Sequence, residues 1–214
     1  MSQTPSKRGW SPLELGLLAA IIVLLCIAAV FGGVAAAADP VPVNAVPFSR
    51  IAVDEEISVP ATKTFVNQAV LFLYLAYRLA GRDTAELDAL PGLLELTTEA
   101  TEEQARAVTD YVKDWDDLYY LGYGLTHPIA LEGALKLKEI TYAHCEGMFS
   151  SEFKHGPLSA VHDGYPVLFI TAPCDEMMMI NHVNEVTTRG GRTIAISAEH
   201  PALRANVHDY LVVP

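Results

Sequence analysis

Three charged residues in the second half of the chain have the spacing of a proton-transfer site. Glu132, Lys136 and Glu139 stand at i, i+4 and i+7 within PIALEGALKLKEITYA, and on a helix they lie within about 60° of one another. The same pattern fits an exposed ion pair, which contributes only about 0.3–0.5 kcal/mol. The residues around this stripe are apolar, however, and a carboxylate in apolar surroundings can acquire the shifted pKa that proton transfer needs.

A polar segment, residues 144–157, follows this helix and is predicted to be a loop. It carries His155 directly before Gly156 and Pro157. A carboxylate base can move a proton between adjacent carbons of a sugar, and a histidine, which titrates near neutral pH, can help to open the sugar ring. Together with the stripe, His155 indicates acid–base chemistry on a sugar, although a single histidine is more often structural.

Alternating helical and strand-like patterns predict the scaffold that holds these residues. Short runs rich in Val, Ile and Leu are separated by longer helical runs, which is typical of a parallel sheet with helices on both faces. The predicted strands are 118–121, 166–171, 193–197 and 210–213. The predicted helices are 61–80, 98–113, 127–143 and 175–189. The predicted fold class is therefore α/β.

Residues 15–38 form an uncharged run of 24 residues, and a helix of that length can cross a hydrocarbon core of about 30 Å. Lys7 and Arg8 precede the run and would hold the N-terminus in the cytoplasm. We therefore predict a single transmembrane helix and a membrane localisation through this anchor. A cleaved signal segment or a pilin-type leader is the alternative, and a cytoplasmic chain is expected if the N-terminus is a mis-started or fused segment.

Charge and cysteine content narrow the classes of partner and cofactor. A net charge of −12 and an isoelectric point of about 4.9 disfavour nucleic acid as a partner. The three cysteines are widely spaced and include no CxxC pair, so they indicate neither a disulfide framework nor a zinc site. We expect no metal and no cofactor.

The stretch ALEGALKLKEITYAHCEGMFSSEFKHGPLSAV, with VPATKTF upstream, resembles the sugar isomerase (SIS) module of the glucosamine-6-phosphate synthases, or glutamine–fructose-6-phosphate aminotransferases. The resemblance runs from about residue 54 to residue 214. It implies a flavodoxin-like three-layer αβα SIS lobe with a parallel sheet, and a homodimer. It also implies aldose–ketose isomerisation, with fructose-6-phosphate or glucosamine-6-phosphate as the bound sugar phosphate.

The same resemblance implies roles for the charged stripe and for the histidine. Glu139 corresponds to the carboxylate that moves a proton between C1 and C2 of the sugar. His155 corresponds to the ring-opening histidine, which reaches the active site of the neighbouring subunit. Lys136 and Glu132 correspond to residues that contact the sugar and help to hold the site.

The chain also departs from the family pattern. Val59 and Ala61 fall where a first lobe contacts the substrate, but Ala61 replaces the usual Ser and its hydroxyl. The S-x-S-G-E-[ST] phosphate loop, the glutaminase domain and the C-terminal lysine tail have no counterpart in the sequence. Full synthase activity by this chain alone is therefore not expected. The alternatives are an inactive membrane-tethered fragment or binding module, and a glucosamine-6-phosphate deaminase-like enzyme.

The expected organisation follows from these patterns. A segment with three prolines and no helical period, DPVPVNAVP, indicates a linker between the anchor and the folded part. The expected parts are an N-terminal tail (1–14), a transmembrane helix or signal segment (15–38), a linker (39–54), a helical remnant of a first SIS lobe (55–108) and a C-terminally truncated second SIS lobe (109–214).

Overall fold

Two long helices open the part of the chain described by the structure, a computed structural model that covers residues 59–173 and 175–213. Helix α1 spans Thr62–Leu79 and helix α2 spans Leu90–Val112. Gly81 follows α1 with a φ of +65°, a left-handed conformation that favours glycine. In α2, buried threonine hydroxyls donate to the carbonyl oxygen four residues earlier, and so remain paired: Thr97, Thr101 and Thr109.

Strands and helices alternate in the remainder. The strands are β1 (Asp117–Gly122), β2 (His144–Phe149), β3 (Pro166–Ile170), β4 (Arg192–Ser197) and β5 (Asp209–Val212). The helices are α3 (His127–Thr141), α4 (Ser150–Phe153), α5 (Glu176–Thr188) and α6 (Pro201–Arg204). Short 3₁₀ turns occupy Ala85–Ala89, Gly124–Thr126 and Pro157–Ala160.

The described strands form one parallel sheet in the order β2-β1-β3-β4-β5, which is the flavodoxin-like order. Gly122, the last residue of β1, pairs with Phe149 of β2 on one side and with Ile170 of β3 on the other. The predicted three-layer α/β fold with a parallel sheet is confirmed.

Strand β2 lies where the sequence predicted a loop. His144 and Glu146 are exposed while Cys145, between them, is buried, which is the alternation of a strand with one covered face. An edge strand pairs on one side only, so it tolerates polar residues that a central strand would exclude. The polar composition of 144–149 therefore reflects its place at the edge of the sheet.

Two hydrophobic cores cover the two faces of the sheet. On β3, Leu168 and Ile170 pack into a core shared with α2 and α3, which we call the α3 side. The intervening Val167 and Phe169 pack into a core shared with α4, α5 and α6, which we call the α5 side. Burial of each large apolar side chain contributes about 1.5–3 kcal/mol, so both layers of helices are held by the same strands.

The predicted membrane-spanning helix and membrane localisation need correction. Among residues 59–173 and 175–213, no helix is long and apolar enough to cross a membrane. The longest described helices are amphipathic: α1 carries Lys63, Asn67, Gln68 and Arg78, and α2 carries six charged residues. The segment for which the anchor was predicted, 15–38, lies outside the described residues, as do the linker and the N-terminal tail.

The predicted boundary at 108/109 between a helical remnant and a second lobe stays a prediction. The first helix contributes Tyr77 to a small cluster with Leu87 and Leu90. The second half of α2, in contrast, contributes Ala105 and Val108 to the core on the α3 side of the sheet.

Candidate functional site

Helix α3 brings the three charged residues of the stripe into direct contact. Lys136 Nζ donates a hydrogen bond to Glu139 Oε2 at 3.0 Å and forms an ion pair with Glu132 Oε1 at 3.3 Å. Lys136 is only 5% exposed, and the side chains of Glu132 and Glu139 are 19% and 24% exposed. We call these three residues the α3 trio.

Two glycines let α3 approach the sheet closely. A Cβ on Gly147 of β2 would lie 2.5 Å from Leu131 Cα in α3, and a Cβ on Gly133 of α3 would lie 3.2 Å from the Tyr120 ring in β1. A side chain at Gly147 would therefore force the helix and the sheet apart. The distance between α3 and the sheet depends on these contacts, which the spacing of the charges does not reveal.

The electrostatics of the trio keep the lysine charged. Burial by itself would lower the pKa of Lys136, but the hydrogen bond to Glu139 and the charge of Glu132 outweigh it and raise that pKa. One fixed cation thus lies between two carboxylates in a partly water-excluded place. Because charges interact more strongly there than in water, the trio holds its carboxylates in a defined geometry.

This arrangement can perform general acid–base chemistry. Glu139 and Glu132 are half-buried, so both remain within reach of solvent or of a small molecule. A positioned carboxylate can accept and return a proton, and an adjacent cation can stabilise negative charge on an oxygen as it develops. The same spacing would also fit an exposed ion pair, but Lys136 is buried, so that interpretation does not apply to it.

His155 lies apart from the trio in its described interactions. It is exposed, it follows α4, and its backbone amide donates to the Glu152 carbonyl at 3.0 Å. No hydrogen bond or ion pair within the described residues joins its side chain to Glu139.

Val59 and Ala61 lie at the start of the described chain. Val59 is 80% exposed. Ala61 is half-buried and caps α1, where its carbonyl accepts from the Phe65 amide at 3.2 Å. No described hydrogen bond or ion pair joins either residue to the trio.

Metal and thiol chemistry find no support in the described residues. No group of three or more His, Cys, Asp or Glu side chains there could hold a metal ion. Burial raises the pKa of the Cys145 thiol to about 12, so this cysteine is a poor nucleophile at neutral pH.

This chain is similar to a known domain family and to several known enzymes. Residues 111–207 match the family model of the SIS domain. The chain is 35% identical over 156 residues to the glutamine–fructose-6-phosphate aminotransferase (isomerizing) of Sulfolobus acidocaldarius, an alignment that covers 73% of this chain and 26% of the relative. It is 39% identical over 160 residues to the enzyme of the same name from Methanothermobacter thermautotrophicus, covering 73% of this chain and 27% of that one.

A solved structure shows the same relationship. The C-terminal domain of glucosamine-fructose-6-phosphate aminotransferase from Francisella tularensis superposes with a TM-score of 0.59 and 27% identity, over 72% of this chain and 46% of that one. The chain thus spans about a quarter of the length of the curated relatives it matches.

Proposed function

We propose that this chain, whose residues 111–207 match the family model of the SIS domain, binds a sugar phosphate and takes part in its aldose–ketose isomerisation. Fructose-6-phosphate and glucosamine-6-phosphate are the substrates that we propose, because the relatives are named for aminotransfer to fructose-6-phosphate. Glu139 is the proposed catalytic base. The observation that carries this proposal is the burial of Lys136 between two carboxylates.

Each member of the α3 trio has a part in the proposed reaction. Glu139 removes a proton from one of the two carbons C1 and C2 of the open-chain sugar and returns it to the other. Lys136 holds Glu139 in place through the 3.0 Å hydrogen bond, and its positive charge stabilises the oxygen on which negative charge develops. Glu132 supports Lys136 from the preceding turn of the helix.

His155 enters the proposal through a dimer. It is exposed, so it is free to reach an adjacent molecule, and no described hydrogen bond or ion pair ties its side chain to Glu139 of its own chain. We propose that His155 of one subunit opens the sugar ring at the trio of the other. Val59 and Ala61 are the proposed substrate contacts at the start of α1.

The test is solvent deuterium exchange into fructose-6-phosphate, followed by NMR. We expect the substitution Glu139→Gln to lower the exchange rate roughly 10²–10⁴-fold, the usual contribution of a general acid–base group, while the helical content is retained. The matched control is Glu102→Gln, which changes an exposed carboxylate of α2 that is also paired with a cation of its own helix, Arg106. It should leave exchange unchanged.

Heterodimers test the contribution of His155. Mixing Glu139→Gln with His155→Ala chains should restore part of the activity, because one of the two sites in each heterodimer then has both residues. Unchanged exchange in Glu139→Gln would contradict the catalytic assignment. If the wild-type chain neither exchanges nor binds fructose-6-phosphate by titration calorimetry, the chain is the non-catalytic fragment instead.

A further inference from the structure

Helix α1 packs one of its sides against the chain that follows it. Tyr77 is 2% exposed and belongs to the small cluster with Leu87 and Leu90. Partly buried side chains from the same side of α1 pack against that cluster: Val70, Leu73 and Tyr74. With Tyr77 they stand at i, i+3, i+4 and i+7, the spacing of one helix face. A surface helix that buries one face in this way is usually polar on the opposite side.

The opposite side of α1 is not polar in this way. Four exposed residues lie there within about 80° of one another around the helix, and we call them the outer stripe: Gln68, Phe72, Ala76 and Leu79. Phe72 is 69% exposed and Leu79 is 41% exposed. The half-buried residues on the two flanks of the stripe, Ala69 and Leu75, are apolar as well.

The charges of α1 lie away from the outer stripe. The helix has two charged residues, Lys63 and Arg78, and each is more than about 100° around the helix from Phe72. Helices that are apolar on more than one side are normally covered by another part of a protein, and exposed apolar patches mark interaction surfaces. The outer stripe therefore suits a partner that is itself apolar and uncharged.

The same chain contains a segment of that chemistry. Residues 15–38 are 24 consecutive uncharged residues, mostly Leu, Ile, Val and Ala. Even an α-helix, a compact regular conformation, makes 24 residues about 36 Å long, whereas the outer stripe is about 17 Å long. Because neither surface carries a charge, contact between them leaves no ionised group buried without a partner.

The connection between the two favours contact within one chain. Residues 39–61 join them, and a chain of 23 residues has an r.m.s. span of roughly 25–30 Å. Phe72 lies about 15 Å along α1 from Thr62, well within that span. Such a tether gives an effective concentration on the order of millimolar, which a second copy of the chain does not reach in dilute solution.

We propose that residues 15–38 cover the outer stripe of α1 in the same chain. The contact takes Phe72 and Leu79 out of water, and this burial of apolar surface on both partners is what stabilises it. The proposal does not rest on the isomerase function, because no residue of the outer stripe has a part in that reaction.

Cys26, near the middle of the segment, reports on this contact. The test is pulsed alkylation of the full chain with N-ethylmaleimide in detergent-free buffer, with peptide mass spectrometry to follow Cys26 separately from the other two cysteines. Phe72→Glu places a carboxylate in the outer stripe. We expect Cys26 to react about tenfold faster or more in this variant than in the wild type, because a covered thiol reacts only when its cover opens.

The matched control is Met177→Glu. Met177 of α5 is 71% exposed, so the same charge is introduced at an equally exposed, large apolar residue outside the outer stripe. Cys26 should react as slowly in this variant as in the wild type. Ala76→Glu changes a second residue of the outer stripe and should accelerate the reaction as Phe72→Glu does. It replaces Phe72→Glu in the test if that variant lacks a cooperative thermal transition.

Three results would overturn the proposal. Equal alkylation rates of Cys26 in the wild type and in the outer-stripe variants would mean that the segment does not cover this side of α1. Protection of Cys26 that is lost on dilution by about a hundredfold would assign the contact to a second copy, because only that contact depends on protein concentration. Protection that develops only after phosphatidylcholine vesicles are added would mean that a lipid surface, and not α1, covers the segment.

Discussion

Two ion pairs among the described residues join a glutamate to a cation four residues later, Glu102–Arg106 and Glu132–Lys136, and they differ in almost everything except spacing. In α2, Arg106 Nη2 lies 2.6 Å from Glu102 Oε1, and the two side chains are 43% and 55% exposed. In α3, Lys136 lies 3.3 Å from Glu132 and its side chain is 7% exposed. The shorter ion pair is the more exposed one. Burial, rather than distance, distinguishes a candidate site from an ordinary surface pair.

The contrast comes from what each helix packs against. α2 presents Glu102 and Arg106 to solvent, while α3 is drawn onto β1 and β2 by close contacts at Gly133 and Gly147. A surface pair contributes about 0–1 kcal/mol. Removing one partner of a buried ion pair leaves the other charge buried and uncompensated. The resulting loss of stability is several times larger than the contribution of a surface pair.

The largest expected difference between the two pairs is in stability. Lys136→Met should lower the free energy of unfolding by about 3 kcal/mol, since two half-buried carboxylates then face each other without a cation. Arg106→Met should change it by less than about 1 kcal/mol. Urea unfolding monitored by circular dichroism at pH 8 measures both. Similar losses in the two variants would mean that the trio acts as a surface cluster.

A second comparison concerns Gly147, where β2 closely approaches α3, and Gly92, an exposed glycine of α2. Gly147→Ala should destabilise the protein by about 1–3 kcal/mol, because its Cβ would lie 2.5 Å from Leu131 Cα. Gly92→Ala in α2 is the control: a Cβ there has no neighbour within 4 Å, so we expect a gain of about 0.5–1 kcal/mol. Thermal unfolding of both variants measures the difference. A neutral Gly147→Ala would contradict the close approach of α3 to the sheet.

Some features of the fold and of the α3 trio could be predicted from the sequence alone, and others could not. The alternation of apolar runs and helices predicts the parallel sheet, and the spacing of Glu132, Lys136 and Glu139 predicts that they share a face. The burial of Lys136 could not be predicted, because the same spacing also fits an exposed ion pair. The close approach of α3 to the sheet at Gly147 could not be predicted either, because Gly147 lies on a strand that the sequence presents as a polar loop. The edge position of β2 allows that polar composition.

The smallest expected difference between the two ion pairs is their response to salt. A double-mutant cycle on Glu102 and Arg106 should give a coupling of about 0.3–0.5 kcal/mol at low ionic strength. That coupling should vanish near 1 M salt, where the Debye length falls to about 3 Å. A cycle on Glu132 and Lys136 should keep most of its coupling, because counterions cannot enter the space between a buried ammonium and the carboxylate 3.3 Å away. If both couplings decline in parallel, solvent and ions reach the trio as freely as they reach α2, and the low exposure of Lys136 would not protect the site as we infer.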